Sequence, residues 1–154
     1  MSAVHIHLLL NHFPIVGYLI IFFIFLHGIY KKKEEFNFVS LIFLIILSII
    51  TIVVYFSGHK AEEILENQLN KEYIEIHEEF ALWTFILSIV LLLSSIVSII
   101  TKKFRIFVLI ILIFTIISSS ITGFYGGQIK HDEIRKREYI KNEGPNVEVS
   151  LKPV

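Results

Sequence analysis

Four long apolar runs, with nearly all the charge confined to the stretches between them, leave this chain few ways to fold. They cover about residues 4–30, 36–57, 77–101 and 104–127. A bilayer's hydrocarbon core is ~30 Å thick and takes about 20 helical residues to cross, so each run is long enough to span it. Hydrophobic residues make up 55% of the chain and mean hydropathy is +0.72, too apolar for an ordinary soluble domain. Short charged turns, Lys31 to Glu35 and one around Lys102 and Lys103, join the first run to the second and the third to the fourth. Connections that short require antiparallel neighbours. The expected fold is therefore all-α, an integral-membrane antiparallel four-helix bundle over residues 1–134, with a polar C-terminal tail over 135–154. Gly58 is expected to end the second span. Beyond it Ile64, Leu65 and Leu69 share one helical face with Glu62, Glu63 and Glu66 around it, which predicts a short interfacial helix.

Composition removes several function classes. The net charge is zero, so there is no nucleic-acid footprint. There is no cysteine, which excludes disulfides, thiolate chemistry, iron–sulfur clusters and Cys-attached haem, but leaves open b-type haem and His/carboxylate metal sites. No Lys or Arg precedes the first apolar run and no small-residue cleavage site follows it, so it reads as a retained span.

The informative polar groups are the histidines. Counting turns puts His5, His7, His12, His59, His77 and His131 on one side of the bundle and leaves only His27 at the other. An imidazole at the edge of hydrocarbon is costly unless it is hydrogen-bonded or bound. His7 and His12 lie about 140° apart around a regular helix, so they pair with groups on other helices rather than with each other. Pro14 removes a backbone donor close by, which predicts a kink or a helix restart. His5 and His59 read as solvated interfacial residues.

On the fourth run Ser119, Gly123, Gly127 and His131 are four apart, a stripe of small residues leading to an imidazole. It suits either a groove for a flat, bulky group or close helix packing. His77, Glu78 and Glu79 open the third run, and Glu63 lies before it. Carboxylates and imidazoles together can bind a metal, although acids near a helix N-terminus are also ordinary solvated residues.

The segment from His7 through Asn11, His12, Phe13, Pro14 and Ile15 resembles the opening signature of a widespread bacterial family of small four-span membrane proteins of unknown function. That family has two histidines five apart before Phe-Pro-Ile, a histidine opening the third span and Gly-Gly closing the fourth. The matching residues here are His7, His12, Phe13, Pro14, His77, Gly126, Gly127 and, with shifted spacing, His131. Relatives fused to cytochrome-like domains imply redox work in a bacterial cytoplasmic membrane.

Two site chemistries follow. In the first, histidines from different helices hold haem b, and the protein carries electrons between a membrane quinol and a cytochrome or other redox partner. The candidate ligands are His12, His77, His131 and His7, with Ser119, Gly123 and Gly127 lining the porphyrin. In the second, His12, His77 and His131 with Glu63, Glu78 or Glu79 bind zinc, copper or iron. A third reading is a structural accessory subunit of a membrane complex. The chain reads as an electron-transfer or binding protein rather than a stand-alone enzyme.

The basic turns carry Lys31, Lys32, Lys33, Lys102, Lys103 and Arg105 in very few residues, which predicts that they are cytoplasmic and that both termini lie outside. A reporter active only in the cytoplasm should work when fused after Lys33 and stay silent at the C-terminus. The reverse pattern would invert the orientation.

Overall fold

A computed structural model describes residues 7, 9–65 and 71–130, with side chains described for all of these except 61–73, 129 and 130. Its elements are helices: α1 (His12–Tyr30), α2 (Glu34–Leu65), α3 (Lys71–Thr101) and α4 (Arg105–Lys130). Each contains a segment long and apolar enough to cross a membrane, at His12–Tyr30, Glu34–Lys60, Ile74–Thr101 and Arg105–Gln128. α1 packs on α2, α2 on α3, α3 on α4, and α4 closes back on α1.

Two sequence expectations change in detail. α2 does not end at Gly58 but continues to Leu65, and no separate interfacial helix appears in the described part of the connection. Residues 59–65 extend α2, while Lys71 already belongs to α3. Glycine is tolerated inside the helix because its neighbours supply the burial, and its missing Cβ serves a contact described below. Leu69, Glu66, His5, His131 and the tail over 135–154 lie outside the described residues.

The helical run is interrupted at one turn residue, Asn11, whose φ −61° and ψ −27° stay in the α-helical region. Asn11 sits in a turn at the N-cap of α1, and its N–H donates to the His7 carbonyl (2.9 Å). Pro14 then falls in the first helical turn, where the missing donor would have no intrahelical acceptor anyway.

The core is made of Tyr18, Ile21 and Phe25 from α1, Leu41, Leu44 and Leu47 from α2, Leu91 from α3, and Val108 and Leu112 from α4. Among these lie small hydroxyl residues that let the helices approach. Most of their hydroxyls are satisfied within their own helix, as when Thr51 donates to Leu47 O, Thr84 to Phe80 O and Thr115 to Ile111 O. A few cross between helices: Tyr18 with Thr51 at 2.9 Å, and Thr84 with Ser118 at 2.8 Å and Thr122 at 3.2 Å. The outward faces are apolar instead, with Phe23, Phe43, Leu93 and Phe114 about half exposed.

The turn after α1 is held by a closed pattern of backbone bonds. Lys33 N–H donates to Gly28 O (2.9 Å) and Lys32 N–H to Ile29 O (3.2 Å), with Lys32 in the left-handed region at φ 53°. Gly28 is required by contact: an added Cβ would lie 2.6 Å from Asn37 Oδ1 and 3.0 Å from Asn37 N. Two substitutions in this one turn should thus act in opposite directions. Lys32→Gly relieves a left-handed side chain and should gain up to about 1 kcal/mol. Gly28→Ala overpacks the start of α2 and should lose about 1–3 kcal/mol. Thermal denaturation in detergent measures both.

A candidate two-histidine site

Two helices carry the same small device at one end of the bundle. On α2, Val54 is followed four residues later by Gly58; on α4, Thr122 is followed four residues later by Gly126. In a helix each Cα–Cβ bond tilts toward the N-terminus, so the side chain at i+4 covers the carbonyl of residue i. Glycine at i+4 leaves that carbonyl open from the side. In each case an imidazole fills the opening. His7 Nδ1 lies 3.2 Å from Val54 O, and His77 Nδ1 lies 2.8 Å from Thr122 O. A Cβ on Gly58 would meet His7 Cε1 at 2.8 Å, and one on Gly126 would meet His77 Cε1 at 3.1 Å.

A carbonyl oxygen only accepts, so Nδ1 of each ring carries the proton and donates it. Nε2 then holds a lone pair in both neutral rings. Both rings are half-buried. Two imidazoles, one from the segment before α1 and one from α3, are thereby held in orientation and tautomer, each with its Nε2 lone pair uncommitted to that bond. A main-chain carbonyl on the remote nitrogen is the usual outer-shell partner of a metal-bound histidine, and it raises the basicity of the other nitrogen.

The remaining candidates are placed as follows. His12 is exposed on α1, in keeping with its angular separation from His7. Glu78 and Glu79 are exposed, and Glu78 Oε1 lies 4.0 Å from Nδ1 of His59, itself exposed, in a solvent-screened contact at the rim. Glu63 belongs to the last turns of α2, and its side chain is outside the described set. His131 also falls outside the described residues. His27 stands at the other end, edge-on to Phe36 at 5.4 Å. Among the described residues, no three His, Cys, Asp or Glu side chains gather into a metal-binding group.

The small-residue stripe of α4 divides. Ser119 is buried and donates to Ile116 O (3.1 Å), and Gly123 takes Ile15 of α1, whose Cδ1 would lie 2.7 Å from an added Cβ. Gly123 thus serves packing between α1 and α4, while the Ser119 hydroxyl is satisfied inside its own helix. Among the described residues nothing lies within 4 Å of where a Cβ on Gly127 would stand. Sequence reasoning missed Gly58 and Gly126 as the partners of the two imidazoles, as well as the two carbonyls. The available signal was a glycine inside an apolar helix, on the side of the bundle that holds the histidines.

No family model, curated protein or solved structure matches this chain.

The contact of His7 with Gly58 supports a prediction. Gly58→Ala places a methyl group where the ring sits, and the atoms it meets belong to a side chain able to turn away. Helicity by circular dichroism should be unchanged. The His7 ring signals in nitrogen-15 NMR should lose the signature of a fixed Nδ1–H tautomer. Retention of that signature would remove Gly58 from the site.

Proposed function

We propose that this chain is a membrane-embedded protein that holds haem b between His7 and His77 and takes part in electron transfer. The observation that carries the reading is the pair of imidazoles, one from the segment before α1 and one from α3, each with Nδ1 committed to a glycine-uncovered carbonyl and Nε2 left to coordinate. The donor set fits axial ligation of a porphyrin iron, which asks the chain for two imidazoles. A zinc, copper or iron centre without porphyrin takes three or four ligands from the chain. The described residues offer a pair and no larger group. The position beside Gly127, open among the described residues, suits a flat group near this end of α4. Bound haem would supply one-electron redox chemistry. The chain's own part is to fix both rings, keep their Nε2 atoms unprotonated and surround them with apolar helix.

In this reading the four helices run alternately up and down through a bacterial cytoplasmic membrane, with the two-histidine end outside and the lysine turns inside. The dense lysine turns support that orientation, and the resemblance to the four-span bacterial family supports the setting. A quinol and a cytochrome-like protein are the partner classes such a site would serve. Carboxylates have no role in ligation here.

The optical spectrum of the purified protein is the test. Reducible Soret and α bands are expected, lost in His7→Ala and in His77→Ala and retained in Glu78→Gln, Glu79→Gln and His12→Ala. Acidification should release the group as the imidazoles take up protons, because only the neutral ring coordinates. A colourless protein with stoichiometric zinc or copper, lost on the Glu substitutions as readily as on the His ones, would overturn the haem reading.

A further inference from the structure

At the other end of the bundle a second feature is built from α2, α3 and the start of α4. Arg105 forms a bidentate pair with Glu34, its Nη1 lying 2.9 Å from Oε1 and its Nη2 bonded to Oε2. That pair forms one wall of a cavity of about 330 Å³, whose polar lining also includes Glu35, Ser98 and Lys102 and whose apolar lining includes Phe38 and Ile99. On two of these residues a buried atom has no hydrogen-bond partner among the described residues: Oγ of Ser98, a residue only 1% exposed, and Nε of Arg105. Buried donors left unpaired are costly, on the order of 1–3 kcal/mol each. An acceptor from outside the chain that reached these two donors would relieve that cost.

The charge pattern narrows which acceptor. Lys102 and Arg105 contribute two positive charges, and Glu34 and Glu35 two negative ones, so the lining is balanced overall. Arg105 and Glu34 satisfy each other, which leaves the Lys102 ammonium and the Glu35 carboxylate as separate opposite charges. A purely anionic ligand would meet Glu35 unfavourably, and a neutral one would engage neither of these two exposed charges. A ligand carrying a phosphodiester and a primary ammonium answers all of them. Its phosphate oxygens would accept from Lys102, Arg105 Nε and Ser98, its ammonium would donate to Glu35, and its acyl chains would lie along Phe38 and Ile99.

We propose that this cavity is a binding site for an aminophospholipid of the phosphatidylethanolamine class. The proposal rests on the membrane reading but not on the haem. It places a lipid anchor at the end where the lysine turns lie, opposite the histidine pair.

The test uses the full chain in nanodiscs of equimolar phosphatidylethanolamine, phosphatidylglycerol and phosphatidylcholine, released for native mass spectrometry. Phosphatidylethanolamine should be retained severalfold over both others: phosphatidylglycerol lacks the ammonium, and the quaternary nitrogen of phosphatidylcholine has no N–H to donate. Glu35→Gln removes the ammonium's partner on an exposed first turn and should abolish the preference over phosphatidylglycerol. Ser98→Ala should lower total retention with helicity unchanged. Equal retention of all three lipids, a preference for phosphatidylglycerol, or an unaltered preference in Glu35→Gln would each overturn the proposal. Failure to enter nanodiscs at all would instead overturn the membrane reading on which it depends.

Discussion

The histidine end depends on one interaction: an imidazole N–H donating to a backbone carbonyl that a glycine has uncovered. A helical carbonyl already accepts one bond along its axis, and its second lone pair is normally screened by the side chain one turn on. Removing that side chain at Gly58 and Gly126 creates two places where a ring fits against a helix. The Val54 carbonyl shows how fully such a position is used, since it also accepts from Ser57 Oγ at 2.9 Å. The same contact joins helices: His7 ties the segment before α1 to α2, and His77 ties α3 to α4. Holding the rings and holding that end of the bundle together are one arrangement.

Elsewhere the helices are held by shape and by small hydroxyls. For helices apolar enough to cross a membrane, hydrophobic burial would give little reason to meet in hydrocarbon, and close approach and internal hydrogen bonds would take over. Tyr18 with Thr51, and Thr84 with Ser118 and Thr122, are such bonds. Thr122 links this seam to the site, because its hydroxyl meets Thr84 while its carbonyl receives His77. The lysine end is built differently. There an exposed carboxylate and a partly buried guanidinium join α2 to α4, and Lys32 and Lys102 sit at left-handed backbone positions. Glycine would fit those positions with less strain, and lysine keeps a fixed charge at each turn.

Much of this was legible in the amino-acid sequence, for reasons particular to chains of this kind. A run of about 20 apolar residues has to be helical in hydrocarbon, because every backbone donor needs an acceptor within its own segment. The number of helices and the short turns after Tyr30 and Thr101 follow from that alone. Pro14 predicted a kink or restart, and the structure has one turn residue, Asn11, three positions before it. The separation of His7 from His12 onto different faces came from helical periodicity, and the structure has one half-buried and the other exposed.

The tertiary structure decided the rest. Sequence spacing orders histidines by their neighbours along the chain, and on that basis His12, two residues before Pro14, stood ahead of His7. What holds the His7 ring is a carbonyl 47 residues away, which local spacing cannot indicate. Gly58 looked like a helix end because glycine often is one; inside the bundle its empty position is occupied by a ring from another segment. The sequence by itself determined that the chain is helical, how many long helices it forms and which polar residues are scarce enough to matter. Which of them meet was decided by packing, because a contact between helices depends on the rotation of each about its axis, set by all the side chains between them at once.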